Sequence, residues 1–369
     1  MNPSLDRREW LARSGALAAF GFLAACSSQL TRASHSGTAV RLHLNENPYG
    51  PSSQALEAMR ESLGEGNFYN TRRYVEEMKN LLAAREHVTP DHIVVGCGSG
   101  EVPNVAGLVY GMNGGGILAA HPTFEGLQQY AEHAGATVTR VPLTDTLRHD
   151  LDAMRQNMTP ATRLVYICNP NNPTGTVIPG DELRAFCEEV SKQAMVFVDE
   201  AYHEFVQDPA YRSMVELVSG NRNIIVSRTA SKIHALAGLR IGFGFGHPDT
   251  IERLGSFMTG SLNVVGLRGA IAGIRDAQFQ NQTRNLNREG RDRLYSLFKE
   301  TGHAYIRSQA NFVFFRTELP IEDFRRKMEQ SGVLVARAFP PYTDWCRVSV
   351  GTEEGFQRFR EAFLQILPS

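Results

Sequence analysis

Short, nearly continuous apolar runs alternate with segments of helical periodicity over the first two thirds of the chain. We predict seven β-strands from these runs, at 92–96, 116–120, 137–142, 164–168, 195–199, 224–228 and 240–246. Segments between them, such as 102–110, 124–134 and 181–193, carry apolar residues at helical spacing. Runs that are apolar at every position are typical of strands covered on both faces. The pattern therefore predicts an α/β fold with a mostly parallel, seven-stranded sheet.

The last third of the chain has a different pattern. Helical periodicity dominates from about 248 to 301, and a mixed region follows. In that region we predict strands at 310–315 and 346–350, and helices at 321–330 and 353–366. We predict a large domain over residues 65–255, and a smaller α+β domain formed by residues 38–64 together with 256–369.

Residues 1–37 form a separate segment with the features of an export signal. Arg7 and Arg8 precede an apolar run at 15–25, which is too short to span a bilayer and is typical of a signal sequence. The run ends at Cys26 in a sequence that resembles a lipobox, and a polar tether follows. These features predict twin-arginine (Tat) export to the periplasm, as a soluble protein or a membrane-anchored lipoprotein. The alternative is an N-terminal extension on a cytoplasmic enzyme.

Composition excludes some classes of partner. The chain has 369 residues, 42% hydrophobic and 21% charged, and a formal net charge of −1. This balance is ordinary for a soluble globular protein, and no basic tract is interleaved with aromatic residues, so nucleic acid is not an expected partner. The five cysteines include no CxxC pair, so we expect neither a disulfide framework nor a zinc site.

The segment 229–242 carries the most specific chemistry. Lys232 lies among small and apolar residues, with hydroxyl groups at Thr229 and Ser231 and a guanidinium at Arg240. A desolvated lysine loses its proton easily and can condense with an aldehyde. Hydroxyl groups and arginine are suitable ligands for a phosphate monoester. The segment therefore predicts a pyridoxal phosphate site, and the alternative is an exposed amphipathic loop.

Other polar motifs follow the predicted strands, where open α/β sheets bind ligands. Asn172 lies in a proline-rich loop after 164–168, and Asp199 and Tyr202 follow the strand at 195–199. A buried acid at a strand end requires a cation, for which a protonated pyridine nitrogen is one candidate. The alternatives are an ordinary turn for the loop and a helix-capping role for Asp199.

Two further motifs are candidate anion sites. Ser99 and Gly100 belong to a glycine-rich turn that opens a helix, where free amides bind anions. Glycine turns of this kind are common, and the turn alone is a weak signal. Arg347 lies on a predicted strand of the small domain. We interpret it as an anion clamp, and a surface ion pair is the alternative.

Taken in order, these motifs resemble the class I/II aminotransferases of fold-type I, which use pyridoxal phosphate, and most closely the histidinol-phosphate aminotransferase family. The resemblance runs from about residue 40 to the C-terminus. Its motifs are Asn45–Gly50, the Ser99 turn, His121–Phe124, the Asn172 loop, Asp199–Tyr202, Ser231-Lys232, Arg240 and Arg347. Two positions depart from the family pattern, because Gly100 replaces the usual aspartate and Cys97 stands where asparagine is common.

The resemblance implies a role for each matching residue. Lys232 would hold the cofactor as an imine and shuttle a proton, and Asp199 would keep the pyridine nitrogen protonated. Asn172 and Tyr202 would hydrogen-bond the phenolic oxygen. Phe124 would stack on the ring. The phosphate would be bound by Ser99, Gly100, Thr229, Ser231 and Arg240.

The resemblance also implies substrate and subunit contacts. Arg347 would bind the anionic group of the substrate, with Tyr49 and Asn311 lining the pocket. Tyr69, or Tyr74 as the other candidate, would reach the phosphate of a neighbouring subunit, so that a homodimer shares its active sites.

The implied activity is transfer of an amino group from an L-amino donor to 2-oxoglutarate. Histidinol phosphate is one candidate donor. An exported enzyme favours free amino acids, aromatic ones among them, because histidine synthesis occurs in the cytoplasm. One alternative is a decarboxylase similar to the threonine-phosphate decarboxylases. The other is a non-catalytic, exported binding module.

Overall fold

The computed structural model describes residues 39–69 and 71–366. The predicted export segment at 1–37 lies outside the described residues. Among the residues described, no helix combines the length and apolar character needed to cross a membrane.

The described part of the chain contains twelve β-strands and eleven α-helices. The strands are β1 (Val40–Leu42), β2 (Ile93–Cys97), β3 (Gly116–His121), β4 (Thr137–Pro142), β5 (Thr162–Cys168), β6 (Met195–Asp199), β7 (Ile224–Thr229), β8 (Ile241–Gly246), β9 (Tyr305–Ile306), β10 (Phe312–Arg316), β11 (Val333–Val335) and β12 (Trp345–Ser349). The helices are α1 (Ser53–Ser62), α2 (Thr71–Glu86), α3 (Glu101–Gly111), α4 (Gly126–His133), α5 (Leu151–Gln156), α6 (Gly180–Val190), α7 (Pro248–Gly255), α8 (Val264–Arg275), α9 (Ala277–Glu300), α10 (Ile321–Gln330) and α11 (Glu353–Ile366).

All seven predicted strands belong to one sheet, with the order β2-β8-β7-β6-β5-β3-β4. Strands β7, β6, β5, β3 and β4 pair in parallel, and β8 runs antiparallel to both β7 and β2. Only residues 230–240 connect β7 to β8, without an α-helix, and this connection is too short for the crossover that parallel strands require. The predicted seven-stranded, mostly parallel sheet is confirmed.

Burial on both faces of the sheet explains the continuous apolar runs. On β6, Val196 and Val198 belong to one hydrophobic cluster, whereas Met195 and Phe197 belong to another. Successive side chains of a strand point to opposite faces, so two covered faces require an apolar residue at every position.

A second group of strands lies later in the chain. Antiparallel strands β12, β10 and β9 form one small sheet, and β1 pairs in parallel with β11. Stacked and edge-on phenylalanine rings fill the core beside α9 and α11, including Phe298, Phe315 and Phe359. Helices α10 and α11 have the bounds expected from the sequence. The pattern missed α1, α2, α5 and the short strands β1, β9 and β11. The proposed division into two domains stays a prediction.

Candidate active site

A cavity of about 180 Å³ lies at the C-terminal ends of β5 and β6. Cys168 and Asp199, the last residues of these neighbouring strands, both line it. The remaining lining residues are Leu44, Asn45, Ser99, Phe124, Asn172, Ala201, Tyr202, Lys232 and Arg347. The position is that of a small-molecule site in an open α/β sheet.

Lys232 projects into this cavity from the connection between β7 and β8. Its Nζ donates hydrogen bonds to the carbonyl oxygens of Leu44, at 3.3 Å, and Asn45, at 3.2 Å. Burial, assisted by the positive charge of Arg347, lowers the pKa of Lys232 to about 8. Near neutral pH the side chain therefore carries more free amine than an ordinary lysine, and free amine is the form that attacks a carbonyl.

Asp199 is a buried carboxylate that pairs with no cation among the described residues. The Tyr166 hydroxyl donates to its Oδ2 at 2.9 Å, and the backbone N–H of Ala201 donates to its Oδ1 at 3.0 Å. Burial raises the pKa of Asp199 to about 6 in spite of these two hydrogen bonds. A positively charged ligand group would therefore gain energy by approaching this carboxylate.

Tyr202 receives two amide hydrogen bonds on its hydroxyl oxygen. The donors are Nδ2 of Asn45, at 2.9 Å, and Nδ2 of Asn172, at 3.4 Å. A phenolic hydroxyl has two acceptor positions and one proton, so with both acceptor positions engaged it can still donate that proton to a ligand. Burial raises the pKa of Tyr202 well above its usual value, so this proton is retained.

Arg347 brings a buried positive charge to the wall of the cavity. Its guanidinium donates to Oδ1 of Asn172 and to the carbonyl oxygen of His43, both at 2.6 Å. Its Nε has no hydrogen-bond partner among the described residues, and it forms no ion pair there. Burial lowers the pKa of Arg347 to about 10, which leaves it protonated at neutral pH. An anionic ligand group is the natural partner of this charge.

A second candidate anion site lies where α3 begins. Gly100, the residue that caps α3, supplies no side-chain hydrogen bond, and Ser99 precedes it at the edge of the cavity. The hydroxyl groups of Thr229 and Ser231 lie 2.9 Å apart. The guanidinium of Arg240 packs so closely on the turn at Gly98 that a Cβ there would overlap it. Free amides, hydroxyl groups and a guanidinium suit a phosphate.

The structure places three other predicted residues away from this cavity. Tyr49 and Asn311 line a smaller, neighbouring cavity with Phe205. Tyr69 is fully exposed. Tyr74, the other tyrosine considered, is buried, and its hydroxyl donates to Glu65 at 2.6 Å. Contacts within its own subunit, including the hydrogen bond to Glu65, therefore hold the side chain of Tyr74 in place. The predicted substrate roles of Tyr49 and Asn311 stay predictions.

A larger outer cavity of about 390 Å³ adjoins the site and shares Leu44, Phe124, Asn172 and Arg347 with it. Its other charged lining residues are Arg325, Arg337 and Glu125. The motifs did not reveal this cavity, nor the contacts of Asn45 and Tyr166 with Tyr202 and Asp199. Asn45 belongs to the motif at 45–50, but no local signal marks the contacts themselves, because each joins distant parts of the chain.

The sequence profile of the family "Aminotransferase class I and II" matches residues 38–363. The chain belongs to the class I and II aminotransferases. It is 35% identical to histidinol-phosphate aminotransferase of Moorella thermoacetica, over 89% of this chain and 85% of that one. It is 36% identical to the enzyme of the same name from Symbiobacterium thermophilum, over 88% of this chain and 89% of that one.

Solved aminotransferases have the same fold. A protein of Erwinia carotovora atroseptica, provisionally named histidinol-phosphate aminotransferase, is 32% identical with a TM-score of 0.85, covering 89% of this chain and 95% of that one. Histidinol-phosphate aminotransferase of Sinorhizobium meliloti, solved with pyridoxal-5′-phosphate, is 23% identical with a TM-score of 0.83, covering 89% of this chain and 92% of that one.

The protein is a pyridoxal-phosphate-dependent transaminase. Its cavity fits this cofactor at three points. Lys232 offers an amine of lowered pKa for the aldehyde. Asp199 offers an uncompensated carboxylate for the ring nitrogen, and the turn beside Arg240 offers an anion site for the phosphate. The four described cysteines are free thiols.

Proposed function

We propose that this aminotransferase moves an amino group from an L-amino donor to 2-oxoglutarate. Histidinol phosphate and free amino acids, aromatic ones among them, are the candidate donors. The buried, unpaired guanidinium of Arg347 carries the proposal, because it lies where both cavities meet and suits a substrate anion. The names of the relatives favour histidinol phosphate.

The outer cavity supports donors that combine an apolar ring with an anionic group. Phe124, Phe339 and Val335 supply apolar surface, and Arg325 and Arg337 supply positive charge beyond Arg347. A planar ring can pack on the apolar wall while a phosphate or carboxylate contacts the arginines.

The roles of the residues around the cofactor follow from their chemistry. When bound, pyridoxal phosphate withdraws electrons from the substrate and makes its α-proton acidic. The amine of Lys232 then takes that proton from the α-carbon. The carboxylate of Asp199 holds a proton on the ring nitrogen by its charge, and Tyr202 and Asn172 donate hydrogen bonds to the phenolic oxygen.

The phosphate and the ring would be held by the remaining predicted residues. Phe124 would stack on the ring. The phosphate ligands would be Ser99, Gly100, Thr229, Ser231 and Arg240. We further propose a homodimer in which Tyr69 completes the partner's site. The proposal is supported by the exposure of two neighbouring aromatic side chains, Phe68 and Tyr69. Exposure of this apolar surface to water is unfavourable unless a partner subunit covers it.

Turnover of single donors by the purified holoenzyme tests the proposed function. Consumption of 2-oxoglutarate with histidinol phosphate would establish the narrow substrate, and consumption only with free amino acids would exclude it. Release of CO₂ without loss of 2-oxoglutarate would identify a decarboxylase. A protein that neither binds pyridoxal phosphate nor turns over any donor would be the binding module.

Arg337 is expected to select donors with a second anionic group. Its guanidinium lies 3.0 Å from Oε2 of Glu125 across the outer cavity. We expect Arg337→Gln to raise KM for such donors by about 10-fold or more, because a charge-assisted hydrogen bond is lost. We expect it to leave KM unchanged for donors with a single anionic group. Arg326→Gln is the control, since Arg326 pairs with Asp323 on the surface of α10. Equal effects on both classes of donor would contradict this role.

We also propose that the protein is exported by the twin-arginine route, with support from Arg7, Arg8, the apolar run and Cys26. We expect Arg7→Lys/Arg8→Lys to abolish recovery from the periplasm or membrane, measured by cell fractionation. Arg13→Lys is the matched control, because Arg13 lies outside the twin pair. Unchanged recovery of the double variant from the periplasm or membrane would argue against the twin-arginine route.

A further inference from the structure

Residues 43–47, which we call the strap, cross the site directly after β1. The carbonyl of His43 accepts a hydrogen bond from Arg347. The carbonyl of Leu44 accepts from Lys232. At the other end, Nδ2 of Asn47 donates to the carbonyl of Ile233, the neighbour of the lysine, at 2.8 Å. One short segment thus touches the anion-binding arginine and the lysine together.

Asn45, at the centre of the strap, uses every polar group it has. Its backbone N–H donates to Oγ of Ser349 at 2.9 Å, and that hydroxyl donates back to Oδ1 of Asn45 at 3.1 Å. Its Nδ2 donates to the hydroxyl of Tyr202. Its carbonyl accepts from Lys232 and from Nδ2 of Asn311. The residue is 1% exposed, so these contacts are shielded from water and hold it in a single position.

The backbone of Asn45 is also unusual. Its φ is +55°, in the left-handed region that asparagine tolerates better than most residues. This conformation turns the carbonyl toward Lys232 while the side chain reaches Tyr202. Asparagine therefore meets two requirements at this position, because it tolerates the left-handed backbone and supplies the amide donor.

Ser349 connects Asn45 to the substrate-anchoring strand. Ser349 and Arg347 are two positions apart on β12, so their side chains lie on the same face. Arg347 contacts the strap at His43, and Ser349 contacts it at Asn45. The strand that carries Arg347 therefore also holds the residue whose amide contacts Tyr202.

We propose that Asn45 is a positioning residue that sets how strongly Tyr202 donates its proton into the active site and couples this to the substrate-binding strand. It acts through Tyr202 and Lys232 rather than by touching the reacting atoms. The proposal rests on the proposed function of those two residues.

The role of Asn45 follows from the two amide groups that donate hydrogen bonds to the hydroxyl oxygen of Tyr202. The bond from Asn45 is short, at 2.9 Å, whereas the bond from Asn172 is long, at 3.4 Å. An N–H bond to the oxygen stabilises negative charge on it and so strengthens donation of the O–H proton. Without Asn45, Tyr202 becomes a weaker donor, and a weaker donor stabilises negative charge in the cavity less. A titrating group of the bound cofactor beside Tyr202 would then lose its proton at higher pH.

Titration of the visible absorbance of the bound cofactor in the holoenzyme tests this inference. Asn45→Gly keeps the left-handed backbone and removes only the side chain, and Asn45→Asp keeps the size and removes the donor. We expect Asn45→Gly to raise the pH midpoint by about 0.5 to 1 unit, the value of one hydrogen bond, and Asn45→Asp to raise it further, because it also places a carboxylate beside Tyr202. The dissociation constant of pyridoxal phosphate, measured by equilibrium dialysis, gives a second readout independent of turnover.

The route through Tyr202 is tested by a double-mutant cycle. Tyr202→Phe alone should raise the midpoint, and Asn45→Gly in that background should add less than about 0.2 unit, because both changes remove the same interaction. Asn287→Ala is the matched control. Asn287 is a buried asparagine that donates one hydrogen bond, to Ala310, and it contacts none of Lys232, Tyr202 and Arg347. Its midpoint should equal that of the unmodified protein.

Two outcomes would overturn the proposal. Midpoints unchanged in both Asn45 variants, with Tyr202→Phe shifted, would show that Asn45 has no such role and leave the proposed role of Tyr202 intact. A full additional shift from Asn45→Gly in the Tyr202→Phe background would show that Asn45 acts by another route. An unchanged midpoint in Tyr202→Phe alone would instead contradict the proposed role of Tyr202.

Discussion

Replacement of Lys232 by alanine is expected to abolish turnover, by at least about 10⁴-fold, and to remove the covalently bound cofactor. No other lysine among the described residues lines either cavity at the site. The amine is held by two carbonyl oxygens and has a pKa of about 8, so no nearby group can replace it as both nucleophile and base. Single-turnover kinetics and the visible absorbance after dialysis measure the two effects.

Lys232→Arg separates the charge of the side chain from its amine chemistry. Arginine keeps a positive charge beside the carbonyl oxygens but cannot lose its proton at neutral pH. We therefore expect it to be as inactive as Lys232→Ala. Lys192→Ala, a change at an exposed lysine remote from the cavity, serves as the control and should be fully active. Substantial activity in either Lys232 variant would place the catalytic amine elsewhere.

The second large effect is expected for Asp199→Asn, which should retain the cofactor and slow turnover by about 10² to 10⁴-fold. Asparagine has the same size and can still bond to Tyr166, so the fold and the phosphate contacts remain. It lacks the negative charge that holds a proton on the ring nitrogen, so the substrate α-proton becomes less acidic. The measurements are kcat and cofactor content at saturation.

Tyr166→Phe is the matched control for Asp199. It removes the hydroxyl that bonds to Oδ2 while the carboxylate remains. We expect a loss of less than about 10-fold, because one neutral hydrogen bond contributes far less than a buried charge. A near-native kcat in Asp199→Asn, with cofactor bound, would show that the carboxylate does not support the proton on the ring nitrogen.

The contrast between Asp199 and its neighbour Glu200 shows which of two adjacent buried acids remains available to a cationic ligand group. Glu200 is also buried, but its carboxylate pairs with Arg228 at 2.9 Å and accepts hydrogen bonds from Ser213. The protein itself satisfies Glu200, whereas Asp199 remains without a cation. The two acids are adjacent at the end of β6. They differ because Arg228 neutralises the charge of Glu200 and not that of Asp199.

Residues of the N-terminal motif illustrate what remained beyond prediction. The run from Asn45 to Gly50 was recognised, yet only Tyr49 in it was assigned to the site. In the structure Tyr49 faces a separate small cavity with Asn311, and Asn45 contacts both Lys232 and Tyr202. Asn45 and Tyr202 are 157 positions apart, so no spacing in the sequence indicates that they touch.

The sequence by itself determined the seven strands of the main sheet and the chemical groups of the candidate site. Strands buried on both faces leave a continuous apolar run, and helices leave a period that local residues reveal, so seven strands of the main sheet were predictable. Tertiary structure alone decided the position of β8 between β2 and β7, the burial of Tyr74 and the contacts of the strap with Tyr202 and Arg347. These features depend on which distant surfaces pack together, and the free energy of such packing is a property of the folded chain rather than of any one segment.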